Sequence, residues 1–273
     1  MNKKFCAFIA CVIILACSCA AGAEGRKLGL LQNAGMSEKG FNDLSTVNSI
    51  WKWEISGAKY SSYHFYDDLN TMLMALNAGN IDDLELPQPA AEYILSVNPN
   101  YKISGVSCST GANLVFGFLA GKGVIMQKNF NYALGLMRRD GTLQDLQTKY
   151  LANPGKNEPE SVKFESFPNA EKIKIAVTGD IPPIDYTSHD GKAAGFNAAV
   201  IAEIAKRLQI NVEIFDINTN ARTAALTSGR ADAVFWYELI DGVGTQYDAP
   251  EGVIFSDPYY RFDLFVRIGL RKN

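Results

Sequence analysis

Residues 172–260 alternate short apolar runs with amphipathic ones, and few folds accept that pattern. The run Lys172-Ile-Lys-Ile-Ala-Val177 reads as a strand that breaks at Thr178-Gly-Asp-Ile-Pro-Pro183. Gly195-Phe196-Asn197 opens a helical run that reaches Leu208. A strand is expected over 211–215, a helix over 219–228 and a third strand over 231–236, before Phe255-Ser-Asp-Pro-Tyr-Tyr260. Strands that alternate with helices build parallel α/β sheets. Ligands of such sheets sit at the carboxyl ends of strands, so the Pro-Pro turn is the first place to look for a site.

The earlier part of the chain shows the same alternation. Strands are expected at 27–31, 59–65, 81–86 and 102–107, with an extended apolar run at 114–119. Residues 37–44 can start a helix capped by Ser37, and 50–55 reads equally as helix or strand. Asp67 is placed to cap a helix over 68–77, in which Leu69, Met72, Leu73 and Leu76 fall at helical spacing. Further helices are expected at 90–95, 128–140 and 143–151. Residues 153–170 carry Pro154, Pro159 and Pro168 among polar residues and read as a linker. Asn77-Ala-Gly-Asn-Ile-Asp82 and Thr227-Ser-Gly-Arg-Ala-Asp232 are alike: each is a helix ending at Gly before a strand that starts near Asp. That suggests two lobes of similar design.

The chain has 273 residues, 47% of them hydrophobic, which suffices for a sizeable core. A net charge of −3 gives no electrostatic case for nucleic acid or an anionic membrane. Residues 1–23 read as a secretion signal, with Lys3-Lys4, an apolar core and a small-residue cleavage site ending at Ala23. The alternative is a lipoprotein site at Ile14-Leu-Ala-Cys17, which would tether the protein through Cys17. Cleavage before Glu24 leaves Cys108 alone, so no internal disulfide is expected. His64 and His189 have no partners at ligand spacing, so neither a zinc site nor any other cofactor is implied.

Several of these stretches carry a resemblance. Ile-Pro-Pro-Ile-Asp-Tyr186, Gly-Phe-Asn197, Leu-Thr-Ser-Gly-Arg-Ala-Asp232 and Phe-Ser-Asp-Pro-Tyr-Tyr260 resemble the first lobe of bacterial extracellular solute-binding proteins, polar amino-acid type. Ala75-Leu-Asn-Ala-Gly-Asn-Ile-Asp82, Val115-Phe-Gly-Phe118 and the segment from Phe130 to Tyr150 resemble the later half of the same family. The halves stand in reverse order. The resemblance therefore implies a circularly permuted, two-lobed α/β fold of periplasmic-binding-protein type, with mostly parallel mixed sheets. Residues 26–112 would be lobe two, and 113–152 a crossing strand and the helices that complete lobe one. Residues 153–171 would be the linker, 172–261 the lobe-one sheet and 262–273 the second crossing strand and tail. The rival reading is a fusion of two incomplete copies, each needing a partner chain.

The resemblance implies a non-enzymatic, monomeric extracytoplasmic protein. It would capture a small polar solute, an amino acid or a related compound, between its lobes for an ABC permease or a membrane sensor. The family's Arg that clamps a carboxylate is missing, since 242–252 holds none, and Pro87 stands where the family places an Asp for the ammonium. The candidate ligand residues are Asp180 and Tyr186 at the turn, Phe196, Arg222 as a substitute guanidinium, and Trp236, Tyr237 and Glu238 at the third strand's end. Gln32, Asn33 and Glu85 complete the set from lobe two. Bland alternatives stand beside them: Phe196 and Trp236 as core, Asp180 as a turn residue, Arg222 and Glu85 as solvated charges. The other functions open to this scaffold are a ligand-free interaction protein and a dehydratase-like enzyme using Glu238 with Asp180 or His189.

Overall fold

The computed structural model describes residues 25–32, 60–152, 158–240, 246–247 and 250–271. The expected leader, the helix at 37–44, the ambiguous 50–55 and Asn33 lie outside them. The fold is mixed α/β around a curled sheet. Its strands are β1 (Arg26–Leu31), β2 (Tyr60–Tyr66), β3 (Asp83–Pro87), β4 (Tyr101–Leu119), β5 (Lys172–Val177), β6 (Asp180–Ile181), β7 (Asp185–Thr187), β8 (Ala193–Ala194), β9 (Asn211–Asp216), β10 (Ala233–Ile240), β11 (Gln246–Tyr247), β12 (Val253–Phe255) and β13 (Tyr260–Leu270). The helices are α1 (Leu69–Asn77), α2 (Gln88–Val97), α3 (Val124–Arg139), α4 (Thr142–Gln147), α5 (Gly195–Leu208) and α6 (Arg222–Thr227). The helix expected at 143–151 runs instead as α4 and then a π turn over Thr148–Ala152.

The same strand order occurs twice. In lobe two it is β2-β1-β3-β13-β4, and in lobe one β9-β5-β10-β4-β12. In each, the first three strands are parallel and the fourth runs against them. The runs expected separately at 102–107 and 114–119 are one strand, β4, of 19 residues. It can stay extended because β13 takes its hydrogen bonds in lobe two, and β10 and β12 take them in lobe one. β13 likewise serves both lobes. The register between these two shared strands shifts twice, between Phe262 and Leu264 and between Arg267 and Ile268.

The likeness between 77–82 and 227–232 is carried down to single bonds. Asp82 Oδ2 accepts from the Lys27 N–H at 2.8 Å, and the Asp82 N–H donates to the Lys27 carbonyl at 2.9 Å. Asp232 does the same with Lys174, both bonds at 2.8 Å. Gly79 and Gly229 have φ of 74° and 72°, left-handed values that glycine adopts freely as each helix ends. One geometry predicts one cost. Asp82→Ala and Asp232→Ala are each expected to destabilise by about 1.5–3 kcal/mol, the value of a hydrogen bond to a charged group. Urea unfolding midpoints check this, with the two variants expected to agree within about 1 kcal/mol.

The core is built across the linker. Phe130 of α3 and Phe116 and Phe118 of β4 are fully buried, with Phe130 edge-on to both rings at 5.3 and 5.1 Å. Residues encoded before the linker therefore pack with Phe196, Ile201 and Phe235, encoded after it. A smaller apolar cluster of Val115, Ala176, Leu226, Val234 and Trp236 fills the other face of the lobe-one sheet.

Candidate functional site

The turn after β5 is held by one carboxylate. Asp185 Oδ2 accepts from the Thr178 and Gly179 N–H groups, both at 2.9 Å, and from Thr178 Oγ1 at 3.0 Å. Its Oδ1 accepts from Asn197 Nδ2 at 2.8 Å, and Tyr259 Oη donates to Asn197 Oδ1 at 2.8 Å. Tyr259 stacks on Phe116 with centroids 4.8 Å apart. Burial pushes the Asp185 carboxyl above its ordinary value, opposed by these donors. Three stretches singled out in the sequence, around Asp185, Asn197 and Tyr259, thus meet in one buried network. Sequence reading missed that role for all three. Its signal was their joint presence in the family motifs, not their local spacing.

Asp180 stands where this turn faces lobe two. Its Oδ2 accepts from the Leu69 N–H at 2.9 Å, at the N-terminus of α1. Burial pushes its carboxyl up to about 6, opposed by the Leu69 N–H and Thr178 and assisted by the charges of Asp185 and Asp68. The cap of α1 is Asp68, whose Oδ1 accepts from the Thr71 N–H at 2.7 Å. Asp67, the expected cap, points elsewhere: its Oδ1 takes Gln32 Nε2 at 3.0 Å and Asn220 Nδ2 of lobe one at 2.9 Å. Its backbone direction leaves Asp68 with the extended φ of −143° that an N-cap needs. The structure therefore brings Gln32 and Asp180 to the junction between the lobes.

Arg222 is not a solvated charge. It is 6% exposed, its guanidinium carbon lies 3.9 Å from the Trp236 ring centroid, and Nε donates to the Thr219 carbonyl at 3.0 Å. Stacking on an indole offsets part of the cost of burying the charge. Thr219, which accepts that bond, also donates through Oγ1 to the Asp67 carbonyl at 3.4 Å, so Arg222 lies one residue contact from the junction. Tyr237 and Glu238 follow Trp236 on β10, opposite Leu114 and Asn113 of β4.

The remaining candidates lie apart from this group. Phe196 is fully buried, its ring against Tyr259 and Tyr260, which is a core position. Tyr186 bonds to Glu158, and burial first, then that carboxylate, push its hydroxyl up to about 12. Glu85 is not solvated: its Oε2 accepts from Arg267 Nε and Ser107 Oγ, both at 2.9 Å, inside the lobe-two sheet. Among the described residues no group of three His, Cys, Asp or Glu side chains could hold a metal ion. None of their helices is long and apolar enough to cross a membrane.

Residues 173–269 match the sequence profile of bacterial extracellular solute-binding proteins, family 3. A curated relative, the probable ABC transporter extracellular-binding protein YckB of Bacillus subtilis, is 31% identical over 110 residues. The match takes in 38% of this chain and 37% of that protein, so the chain spans little more than a third of its length. The ligand-binding component of an ABC-type import system from Staphylococcus aureus aligns at 12% identity and a TM-score of 0.43, over 90% of this chain and 66% of that one. The alkanesulfonate-binding protein SsuA of Xanthomonas axonopodis pv. citri aligns at 9% and 0.43, over 92% and 67%. Those two scores are too low to assign a function.

Proposed function

We propose, from the match of residues 173–269 to the bacterial extracellular solute-binding proteins of family 3, that this chain is a circularly permuted binding protein of an ABC import system. It works outside the cytoplasm and captures a small polar solute, an amino acid or a related compound, between its lobes. The family is one of binding proteins, and catalysis has no part in the reading. The observation that carries it is that match, set in a sheet whose strand order repeats once in each lobe. Permutation accounts for the repeat with every lobe element used once, and for α3 closing the core of a lobe encoded after it.

The proposed site consists of Gln32 and Asp180 at the junction, with Arg222 and Trp236 one contact behind it, extended by Asn33, Tyr237 and Glu238. Arg222 replaces the missing family arginine as the cation facing an anionic group of the solute. Asp180 and Glu238 suit an ammonium or another donor. Small-molecule sites of this kind combine an apolar wall with a few placed polar groups. The receiving partner is a membrane permease of the ABC class, and export by the 1–23 leader, with or without a tether at Cys17, delivers the protein to it.

A thermal-shift panel of amino acids, amines and small organic acids tests the reading. A solute at one hundred times its Kd stabilises the folded state by about 2.7 kcal/mol, which raises the Tm of a chain this size by about 5 °C or more. A panel with no shift, on protein that unfolds cooperatively, would favour the ligand-free interaction protein instead.

A further inference from the structure

Two adjacent acids precede α1, and they do different work. Asp68 caps the helix within lobe two, its Oδ1 accepting from the Thr71 N–H at 2.7 Å. Asp67 is turned toward lobe one: its Oδ1 accepts from Asn220 Nδ2 at 2.9 Å, and its carbonyl accepts from Thr219 Oγ1 at 3.4 Å. Gln32 Nε2 donates to the same Oδ1 at 3.0 Å from within lobe two and fixes the carboxylate in that direction. The next residue bonds across in the opposite sense, the Leu69 N–H donating to Asp180 Oδ2 of lobe one at 2.9 Å. The spacing that matches 77–82 with 227–232 also makes Leu69 and Thr219 equivalent, so the starts of corresponding helical segments in the two lobes face each other.

We infer that Asp67 is an interlobe latch: the hydrogen bond from Asn220 to its carboxylate holds the lobes together through groups of the chain itself. The inference rests on the reading of the chain as a two-lobed binding protein whose lobes turn about β4 and β13. Among the described residues, those are the strands that serve both lobes. Opening such a fold parts the facing edges and breaks every bond that crosses between them. Asp67 is free for this role because Asp68 already supplies the cap of α1. A hydrogen bond to a charged acceptor is among the stronger ones. The Asn220–Asp67 pair is exposed, which weakens it enough to be made and broken.

The latch sets a closed-to-open ratio. Losing the Asn220 donor is expected to lower that ratio by about tenfold, the low end for a hydrogen bond to a charged group. A carboxylate in place of the Asn220 amide lowers it further, because repulsion between like charges replaces the bond. A solute enters while the lobes are apart, so its association rate follows the open fraction.

The test reads amide hydrogen exchange at Leu69, whose N–H bond crosses between the lobes, resolved by NMR on the chain without added solute. The Asp82 N–H, bonded to the Lys27 carbonyl inside lobe two, is the control for loss of the lobe itself. Asn220→Ala is expected to speed exchange at Leu69 about tenfold and Asn220→Asp more, with Asp82 unchanged in both. Asp67→Asn combined with Asn220→Asp exchanges donor and acceptor, and is expected to restore slow exchange at Leu69. A solute panel without a hit counts against solute binding alone, since this measurement uses none. Unchanged exchange at Leu69 in Asn220→Asp, equal acceleration at Asp82, or a double variant that stays fast would overturn the latch.

Discussion

Asp185→Ala is expected to destabilise the protein by about 3–5 kcal/mol, while Asp185→Asn costs less than about 1.5 kcal/mol. Asp185 is 2% exposed and receives four hydrogen bonds, three of them from the turn and one from Asn197. Alanine strands all four donors, of which the Gly179 N–H and the Asn197 amide are buried, and stranded buried donors carry the full desolvation cost. Asparagine keeps one oxygen for the turn and presents an amide to Asn197. Asn197 can rotate its own amide so that its oxygen accepts and its nitrogen donates to Tyr259 Oη. The donors of the turn are thereby satisfied with no charge, and the loss is confined to the bond that the Tyr259 hydroxyl gives the Asn197 oxygen. Urea unfolding of both variants checks the ranking. Equal losses in the two would show that the charge, not the donor count, is what the turn requires.

Phe130→Ala is the second large effect, expected to cost about 3–5 kcal/mol. The ring is fully buried and edge-on to Phe116 and Phe118, so its loss removes transfer free energy and leaves a cavity in a wall that β4 cannot easily close. The variant also tests how the chain is assembled. α3 precedes the linker, yet the core it completes includes Phe196 and Phe235, which follow it. A permuted single protein should lose stability in one cooperative transition monitored by circular dichroism and by tryptophan fluorescence alike. Two separate transitions, with only the first shifted by Phe130→Ala, would mean that the halves fold apart.

Most of the architecture was legible because it is written in local periodicity. The apolar runs at 172–177 and 211–215, the helix opened by Gly195 and the paired Gly-x-x-Asp turns all report what their own neighbours in sequence dictate. The continuity of β4 was not legible. Its small-residue middle, Ser107 to Ala112, reads as a break, and only the pairing with β13 from the far end of the chain keeps it extended. The cap of α1 failed by one residue for a similar reason. Asp67 and Asp68 are chemically alike, and the choice between them is made by Gln32 and Asn220, distant in sequence.

The site divides the same way. That Asp180 lies just past a strand end follows from where β5 stops, but β10 runs on to Ile240, so Trp236 is mid-strand and not at the end expected for it. That Arg222 is buried on Trp236, that Glu85 is neutralised by Arg267 and that Phe196 is core depend on side chains brought together by the sheet order. Asp185, Asn197 and Tyr259 show the limit most plainly. They are spread over 74 residues, no periodicity links them, and their common role appears only once the turn, α5 and the loop before β13 are in place.

A calorimetric titration of the strongest solute from the thermal panel, on wild type and on Arg222→Ala, tests the central claim most directly. Saturable binding of one solute per chain is expected, weakened at least about tenfold in Arg222→Ala, since removing a charged partner from a solute costs about 1.5–3 kcal/mol. Retained cooperative unfolding in the variant would show that the loss belongs to the site. No saturable heat for any solute of the panel, in wild-type protein that is folded and monomeric, would contradict the account.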